Sequence, residues 1–223
     1  MNINEKYKAC LFDMDGTLVN SERLKGLALS ETCKFFGGLA GVDVYKSVMG
    51  ENWEKVRSHF FSEAGINPDT ESFDQEFKLI YQELLNNELE PNSNVVQLLI
   101  KLKRQDKKLG LVSSAAGWMV EQVLEQLNLT GFFDIVISKE QVTNHKPDPE
   151  AYVVALRSLG LQGKEVLVFE DSFAGVTAAY SANCDVVAFR HEFNVEHDFK
   201  KAIQIISDYN EFTLFNQYER LKP

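Results

Sequence analysis

Short apolar runs alternate with amphipathic segments along most of this 223-residue chain. Runs rich in aliphatic and β-branched residues predict buried strands at 9–12, 109–112, 135–137, 166–169 and 186–189. Between these runs, apolar residues recur at helical spacing, as at Val95, Leu98, Leu99 and Leu102. The alternation of strand and helix predicts an α/β fold with a Rossmann-like, doubly wound parallel sheet as its core.

One long segment departs from this alternation. Residues 22–87 have helical periodicity and no convincing strand, and helices are predicted around 24–36, 53–64 and 73–85. We therefore expect a small, four-helix-like, all-helical cap domain at 21–89, inserted after the first strand. The α/β core domain would then comprise 1–20 and 90–223. The segment after Asp208 contains no motif that indicates a function.

The overall charge narrows the range of partners. The formal net charge is −10, which repels polyanions, so we expect no nucleic-acid partner.

The three cysteines are far apart, and the four histidines, among them His191, have no metal-ligand spacing. No apolar window approaches the roughly 20 residues of a membrane span. We expect a soluble, cytoplasmic protein with reduced thiols and no membrane partner, either a monomer or a weak homodimer.

Polar side chains follow each of the first four predicted strands. Along the chain these are Asp13 and Asp15, Ser113 and Ser114, Lys146, and Glu170 and Asp171. Ligands of open parallel sheets bind beyond the carboxyl ends of the strands, so we expect these side chains to lie close together. Carboxylate oxygens suit Mg²⁺, and a cation with a lysine neutralises a phosphoryl group. This set therefore favours magnesium-dependent phosphoryl transfer, with a carboxylate as the nucleophile.

In their order along the chain, these residues resemble the four motifs of the haloacid dehalogenase superfamily. The matching stretches are Asp13-Met14-Asp15-Gly16-Thr17, Ser113, Lys146-Pro147-Asp148-Pro149 and Glu170-Asp171. The resemblance spans almost the whole chain. The helical insertion is similar to the cap of the branch that holds β-phosphoglucomutase and phosphoglycolate phosphatase.

The resemblance implies a role for each matched position. Asp13 would be the nucleophile and a Mg²⁺ ligand, while Asp15 would protonate the leaving oxygen, activate water and lend its backbone carbonyl to the metal. Ser113 and Ser114 would bind phosphoryl oxygens, and Lys146 would neutralise Asp13 and the phosphate. Asp171, together with Glu170, would hold the metal. The backbone amides of Met14 and Asp15 would face the phosphate.

Single positions then separate the reactions of this superfamily. Asp15 supplies the acid that phosphatases and mutases have and that dehalogenases lack, because an alkoxide leaving group needs a proton. Lys25 stands where the mutase has a histidine. Trp53, after the turn at Gly50, stands where the mutase has a phosphate-binding arginine. The resemblance thus implies that Lys25, Gly50 and Trp53 lie near the substrate.

We therefore expect a magnesium-dependent phosphatase acting on small phosphomonoesters such as sugar phosphates or phosphoglycolate. The reaction would pass through an aspartyl-phosphate. The alternatives are a β-phosphoglucomutase-like mutase and a non-catalytic binding module on the same fold.

The same residues also have purely structural interpretations. Asp13 and Asp15 could line a turn, and the acidic pair or the serine pair could cap the helix that follows each. Trp53 could serve only in packing, and Lys25 could be solvated on the surface of the insertion.

Overall fold

A computed structural model describes residues 6–212 as a six-stranded, parallel sheet flanked by helices. The strands are β1 Ala9–Phe12, β2 Lys108–Val112, β3 Ile135–Ile137, β4 Val166–Glu170, β5 Asp185–Phe189 and β6 Gln204–Ile206. The five predicted strands are confirmed to within one residue at each end, and so is the α/β class. We did not predict β6, because it is only three residues long and partly exposed at the sheet edge.

The helices fall into two groups along the chain. Between β1 and β2 lie α1 Glu22–Phe35, α2 Trp53–Ala64 and α3 Thr70–Glu88. The remaining helices lie between the strands of the core: α4 Val95–Arg104 is the last helix before β2, and α5 Gly117–Gln126, α6 Glu150–Leu159 and α7 Phe173–Ser181 follow β2, β3 and β4. The insertion after β1 is thus helical, as expected. The division of the chain at residues 21 and 89 stays a prediction.

The insertion contains four helical elements, but one of them is not an α-helix. It contains three α-helices and one short 3₁₀ segment, Val42–Ser47. This segment follows glycines at 37, 38 and 41 and includes two β-branched valines, which disfavour a longer helix.

Capping residues explain where the helices of the insertion begin. The Asn52 side chain accepts a hydrogen bond from the Lys55 amide at 2.9 Å, and α2 begins at the next residue. The Asp69 side chain accepts from the Ser72 amide at 2.8 Å, so α3 begins at Thr70. Apolar periodicity alone predicted a start at Phe73. The cap therefore adds almost one turn that the hydrophobic pattern does not reveal.

Both faces of the sheet are buried. Phe12 and Phe169, on adjacent strands, stack with ring centroids 4.6 Å apart on one face. Leu11 and Val168 pack on the opposite face, against α6 residues that include Tyr152. Burial on both faces explains why the strands appear as continuous apolar runs rather than as alternating patterns.

The strand order brings the predicted site residues to one edge. The order is β3-β2-β1-β4-β5-β6, so β1 lies between β2 and β4. From β1 the chain runs to one side of the sheet through β2 and β3, and then to the other side through β4, β5 and β6. The carboxyl end of β1 is therefore at the switch point of the sheet. The residues after β1, β2 and β4 therefore lie side by side.

Asparagine side chains hold the return from α3 to the core. The Asn92 amide donates to the backbone oxygens of Gly16 at 2.8 Å and Thr17 at 2.7 Å. Asn94 adopts a left-handed conformation with φ of 66°, and its side chain donates to both carboxylate oxygens of Asp208 at 2.8 and 2.9 Å. Asparagine is one of the few side chains that tolerate this geometry.

Two other expectations concern the chain as a whole. Among residues 6–212, no helix has the length and apolar character needed to cross a membrane. The three cysteines are buried and unpaired, as expected for reduced thiols. Of the segment after Asp208, residues 213–223 lie outside the described part of the chain.

Replacing Asn94 with alanine should lower the free energy of unfolding by about 2 kcal/mol, because it removes two hydrogen bonds to a carboxylate and leaves a strained backbone. Urea unfolding followed by circular dichroism measures this loss. Asn94→Gly, which keeps the left-handed backbone without the hydrogen bonds, should be less destabilised. An unchanged urea midpoint for Asn94→Ala would show that the contact with Asp208 contributes nothing.

Candidate active site

A buried lysine lies between two carboxylates beyond the ends of β1 and β4. The Lys146 ammonium lies 2.5 Å from Oδ1 of Asp13 and 2.6 Å from Oε1 of Glu170, and it donates to the Val112 carbonyl at 2.9 Å. Only 6% of the Lys146 side chain is exposed. The loop after β3 thus carries Lys146 to the switch point, where three of the four predicted motifs meet.

The charge of Lys146 is stabilised by its neighbours. Burial alone would lower the pKa of Lys146, but the carboxylates of Asp13 and Glu170 raise it well above its ordinary value. The Tyr152 hydroxyl donates to Oε1 of Glu170 at 2.8 Å and so fixes this carboxylate. A Cβ at position 175 would lie 1.9 Å from the same carboxylate, which explains why this position is a glycine.

Three carboxylates are close enough to share a cation. One oxygen from each of Asp13, Glu170 and Asp171 lies within 4.8 Å of the others. Burial, reinforced by the neighbouring negative charges, raises the pKa of Asp13 and of Asp171 well above the usual range. A divalent cation held by oxygen ligands would relieve this buried repulsion, so the residues fit a metal site.

Glu170 is the least available of the three. Its Oε1 accepts from Lys146 and Tyr152, and its Oε2 accepts from the amides of Asp171 at 3.1 Å and Ser172 at 3.3 Å. Asp171 does not cap α7, because the Ser172 side chain accepts from the Gly175 amide at 2.9 Å. Asp13 and Asp171 are therefore the better candidates for metal ligands.

A hydrogen-bond network orients Asp171. Its Oδ1 accepts from the Thr17 hydroxyl at 3.2 Å, and its Oδ2 lies 2.9 Å from Nε2 of His191. Since Nδ1 of His191 accepts from the Phe193 amide, Nε2 is the nitrogen that donates. The Asn194 side chain also donates to the Asp171 carbonyl at 2.8 Å. Sequence reasoning missed these contacts because they join separate loops, which lie 20 to 154 residues apart in the chain.

The loop after β1 approaches Asp171 closely. Gly16 has a φ of +71°, and a Cβ there would lie 2.1 Å from Oδ2 of Asp171. Only glycine combines this backbone conformation with so close an approach.

Asp15 is linked to the helical insertion rather than to Lys146. Its carboxylate accepts from the hydroxyl of Ser21, and it lies 3.1 Å from the Lys25 ammonium and 3.5 Å from the Tyr81 hydroxyl. Lys25 is 16% exposed, and although burial opposes its charge, Asp15 and Glu22 raise its pKa well above the ordinary value. Lys25 is therefore buried at the cavity and is not a solvated surface lysine.

Two serines lie at the end of β2. Ser113 is buried and its hydroxyl accepts from the Ala115 amide at 3.0 Å, whereas Ser114 is exposed. Neither residue is the N-cap of α5, which is Ala116. Both line the same cavity as Asp13 and Lys146. The Met14 side chain is buried in the core, so only its backbone is available to a ligand.

A cavity of about 710 Å³ separates the sheet edge from the helical insertion. Asp13, Asp15, Ser113, Lys146 and Asp171 line it from the core, and Lys25, Tyr45, Gly50, Trp53 and Phe77 line it from the insertion. Apart from Met14, the residues that the resemblance assigned to the substrate thus face one common space.

Trp53 both packs and lines the cavity. Its ring lies against Phe77 with centroids 4.6 Å apart, and its Nε1 donates to Asp74 at 3.0 Å. Arg57, one turn further along α2, lies 2.6 Å from the other Asp74 oxygen. Among the described residues that line the cavity there is no arginine.

Residues 10–189 match the family of haloacid dehalogenase-like hydrolases, and the chain belongs to this family. It is 32% identical over 182 residues to a phosphorylated carbohydrates phosphatase of Thermotoga maritima, covering 80% of this chain and 82% of that protein. It is 26% identical to the fructose-1-phosphate phosphatase YqaB of Escherichia coli, over 83% of this chain and 98% of that one.

The fold matches a solved structure of CbbY from Rhodobacter sphaeroides in complex with phosphate. The TM-score is 0.82, with 92% of this chain and 96% of that chain covered, at 22% identity. A likeness at this identity shows the fold alone. The family match confirms the predicted membership of the haloacid dehalogenase superfamily. The two named phosphatases agree with the predicted enzyme class, a phosphoric monoester hydrolase.

Adding Mg²⁺ should raise the thermal midpoint of the protein, because a cation relieves the repulsion among the buried carboxylates. Asp171→Asn should raise the midpoint of the metal-free protein by about 2–4 °C, for roughly 1 kcal/mol of relieved repulsion. The same change should weaken Mg²⁺ binding about tenfold or more. Scanning fluorimetry across a Mg²⁺ titration measures both effects.

Asp198→Asn is the matched control, since Asp198 is a surface carboxylate paired with Lys200 at 3.1 Å. It should bind Mg²⁺ like the wild type. A wild-type midpoint that does not respond to Mg²⁺ would argue against a metal site at these carboxylates.

Proposed function

We propose that this protein is a magnesium-dependent phosphatase that hydrolyses small phosphomonoesters through an aspartyl-phosphate. The observation that supports it most is the buried Asp13–Lys146 ion pair at the cavity, beside Asp171. This arrangement places a nucleophile (Asp13), a charged lysine (Lys146) and a metal ligand (Asp171) next to one another. Family membership and the phosphatase relatives support the same reaction class.

In the proposed first step, an oxygen of Asp13 attacks phosphorus and the bond from phosphorus to the ester oxygen breaks. Asp15 gives its proton to the leaving oxygen, which departs as an alcohol. Lys146 offsets the negative charge of Asp13 and of the incoming phosphoryl group. Mg²⁺ bound to Asp13, Asp171 and the Asp15 carbonyl would supply further neutralisation of the phosphoryl oxygens.

In the second step, Asp15 accepts a proton from a water molecule that attacks phosphorus. The bond between Asp13 and phosphorus breaks, which releases inorganic phosphate and restores the Asp13 carboxylate. Ser113, Ser114 and the amides of Met14 and Asp15 would hold phosphoryl oxygens during both steps. In this scheme Glu170 is a positioning residue, because both of its oxygens are engaged by Lys146, Tyr152 and backbone amides.

The cavity favours transfer to water over transfer to a second hydroxyl of the substrate. A mutase must hold a second phosphate while the first is transferred. Arg57 is paired with Asp74, and Lys25 is paired with Asp15 and Glu22, so a second phosphate would have to compete with a carboxylate for either of these two cations. A purely binding module is disfavoured because such a site would not need two buried carboxylates with raised pKa values, Asp13 and Asp171, close to one lysine.

Phosphate release from a panel of small phosphomonoesters, including β-glucose 1-phosphate and phosphoglycolate, tests the proposal. We expect release that requires Mg²⁺ and stops in excess chelator. With β-glucose 1-phosphate, formation of glucose 6-phosphate without phosphate release would establish the mutase instead. A folded protein without any turnover would support the binding module.

Asp13→Asn should abolish phosphate release without unfolding the protein, because the amide cannot act as the nucleophile. Steady-state phosphate assays, with circular dichroism as the folding check, measure this. Near-normal Mg²⁺-dependent activity in the variant would remove Asp13 as the nucleophile.

Lys146→Ala should lower kcat/KM about 100-fold or more, since it removes the cation nearest the transferred group. Lys164→Ala, at an exposed position just before β4, should keep the wild-type value. A loss of folded protein with unchanged specific activity in the folded fraction would show that Lys146 is only structural.

A further inference from the structure

One carboxylate of the helical insertion lies at the cavity and has no part in the proposed mechanism. Glu22, the first residue of α1, lines the cavity with 5% of its side chain exposed. Its Oε1 lies 3.2 Å from the Lys25 ammonium. Its Oε2 is buried and accepts no hydrogen bond of normal geometry from any residue in the described part of the chain.

The surroundings of Glu22 compensate for this missing bond only in part. The Tyr45 hydroxyl is close, and burial, the charge of Glu22 and a hydrogen bond to the Glu22 carboxylate raise the pKa of Tyr45 well above its usual range. Tyr45 therefore stays protonated, but it does not reach Oε2 with normal geometry. A buried carboxylate oxygen without a donor is costly, so a group that enters the cavity with an O–H to donate would be favoured.

The charges of the cavity indicate what kind of group this is. Seven carboxylates and four lysines line it, and two of those lysines, Lys25 and Lys146, are already paired with carboxylates. Because carboxylates outnumber lysines in this lining, a second negative charge on the leaving group would be repelled beside Glu22. A hydroxyl is neutral and can donate to the carboxylate. The terminal torsion of glutamate is broad, so either oxygen of Glu22 can turn toward such a hydroxyl.

We propose that Glu22 accepts a hydrogen bond from a hydroxyl of the leaving group, so that the site selects polyhydroxylated, uncharged phosphomonoesters over those that carry a carboxylate. Lys25 holds Glu22 in place from one side and can donate to the oxygen of the same hydroxyl. This inference rests on the phosphatase function proposed above. It favours sugar and polyol phosphates over phosphoglycolate.

Two substrates that differ only in their hydroxyls test it. Sorbitol 6-phosphate and n-hexyl phosphate share a six-carbon chain, and only the first carries hydroxyls for Glu22. We would measure kcat/KM for both, with Mg²⁺, in the wild type and in Glu22→Ala, Glu22→Gln and Glu31→Ala. Glu31 is the matched control, because it forms the same i,i+3 pair with Lys34 on the exposed side of α1.

We expect Glu22→Ala to lower the ratio of the two kcat/KM values, sorbitol 6-phosphate over n-hexyl phosphate, about tenfold or more. Glu22→Gln keeps an acceptor oxygen and should lower the ratio less, and Glu31→Ala should not change it. Glu22→Gln removes the charge and should improve kcat/KM for phosphoglycolate. The isosteric glutamine keeps the test decisive if the alanine variant folds poorly.

An unchanged ratio in both Glu22 variants, or an equal loss on both substrates, would overturn the proposal and leave Glu22 as a structural partner of Lys25. Wild-type protein that hydrolyses neither these two compounds nor any other monoester would instead refute the phosphatase function itself. The two failures are therefore distinguishable.

Discussion

Lys146 is buried between Asp13 and Glu170, and the geometry of the site depends on this charged contact. A buried lysine is tolerated only where carboxylates compensate for its lost hydration, and here each carboxylate is itself fixed by the fold. Asp13 continues β1, while Glu170 ends the adjacent β4 and is held by Tyr152. The sheet order thus brings together a lysine and an acid that are 133 residues apart in the chain.

The loops around this contact are supported from several directions. Asn92 holds the carbonyls of Gly16 and Thr17, and Asn194 holds the carbonyl of Asp171. His191 orients the Asp171 carboxylate. These side chains do not resemble a catalytic motif, yet they keep like charges close to one another. Positioned carboxylates of this kind have little reorganisation to undergo when a cation or a phosphoryl group binds.

The helical insertion is electrostatically coupled to the core. Lys25 on α1 pairs with Asp15 of the core and with Glu22 of its own helix. The proposed acid of the reaction is therefore in contact with the element that lines the opposite side of the cavity. A leaving group that binds at Glu22 would act on the same lysine that contacts Asp15, so substrate recognition and proton transfer share one residue.

Much of the fold and of the candidate site follows from the sequence by itself. Five strands appear as apolar runs because they are buried on both faces. Asp13, Asp15, Ser113 and Asp171 closely follow strands whose ends meet at one edge, and Lys146 lies in the loop after β3. Their local order is enough to predict the α/β class and the chemistry. The sequence also indicates the helical insertion, because its periodicity extends over more than sixty residues.

Other features depend on tertiary structure, since they arise from contacts between distant residues. The short edge strand β6 gains its hydrogen bonds from β5, and its own residues give little signal. Glu170 is a carboxylate at a position that predicts a metal ligand. In the folded chain, however, Tyr152 and Lys146 occupy its Oε1 oxygen. The buried position of Lys25 and the unpartnered oxygen of Glu22 likewise depend on how α1 packs against the other helices of the insertion and next to Asp15. Local pattern determined which groups are present, and packing decided which of them are neutralised, which are held in place and which remain open to a ligand.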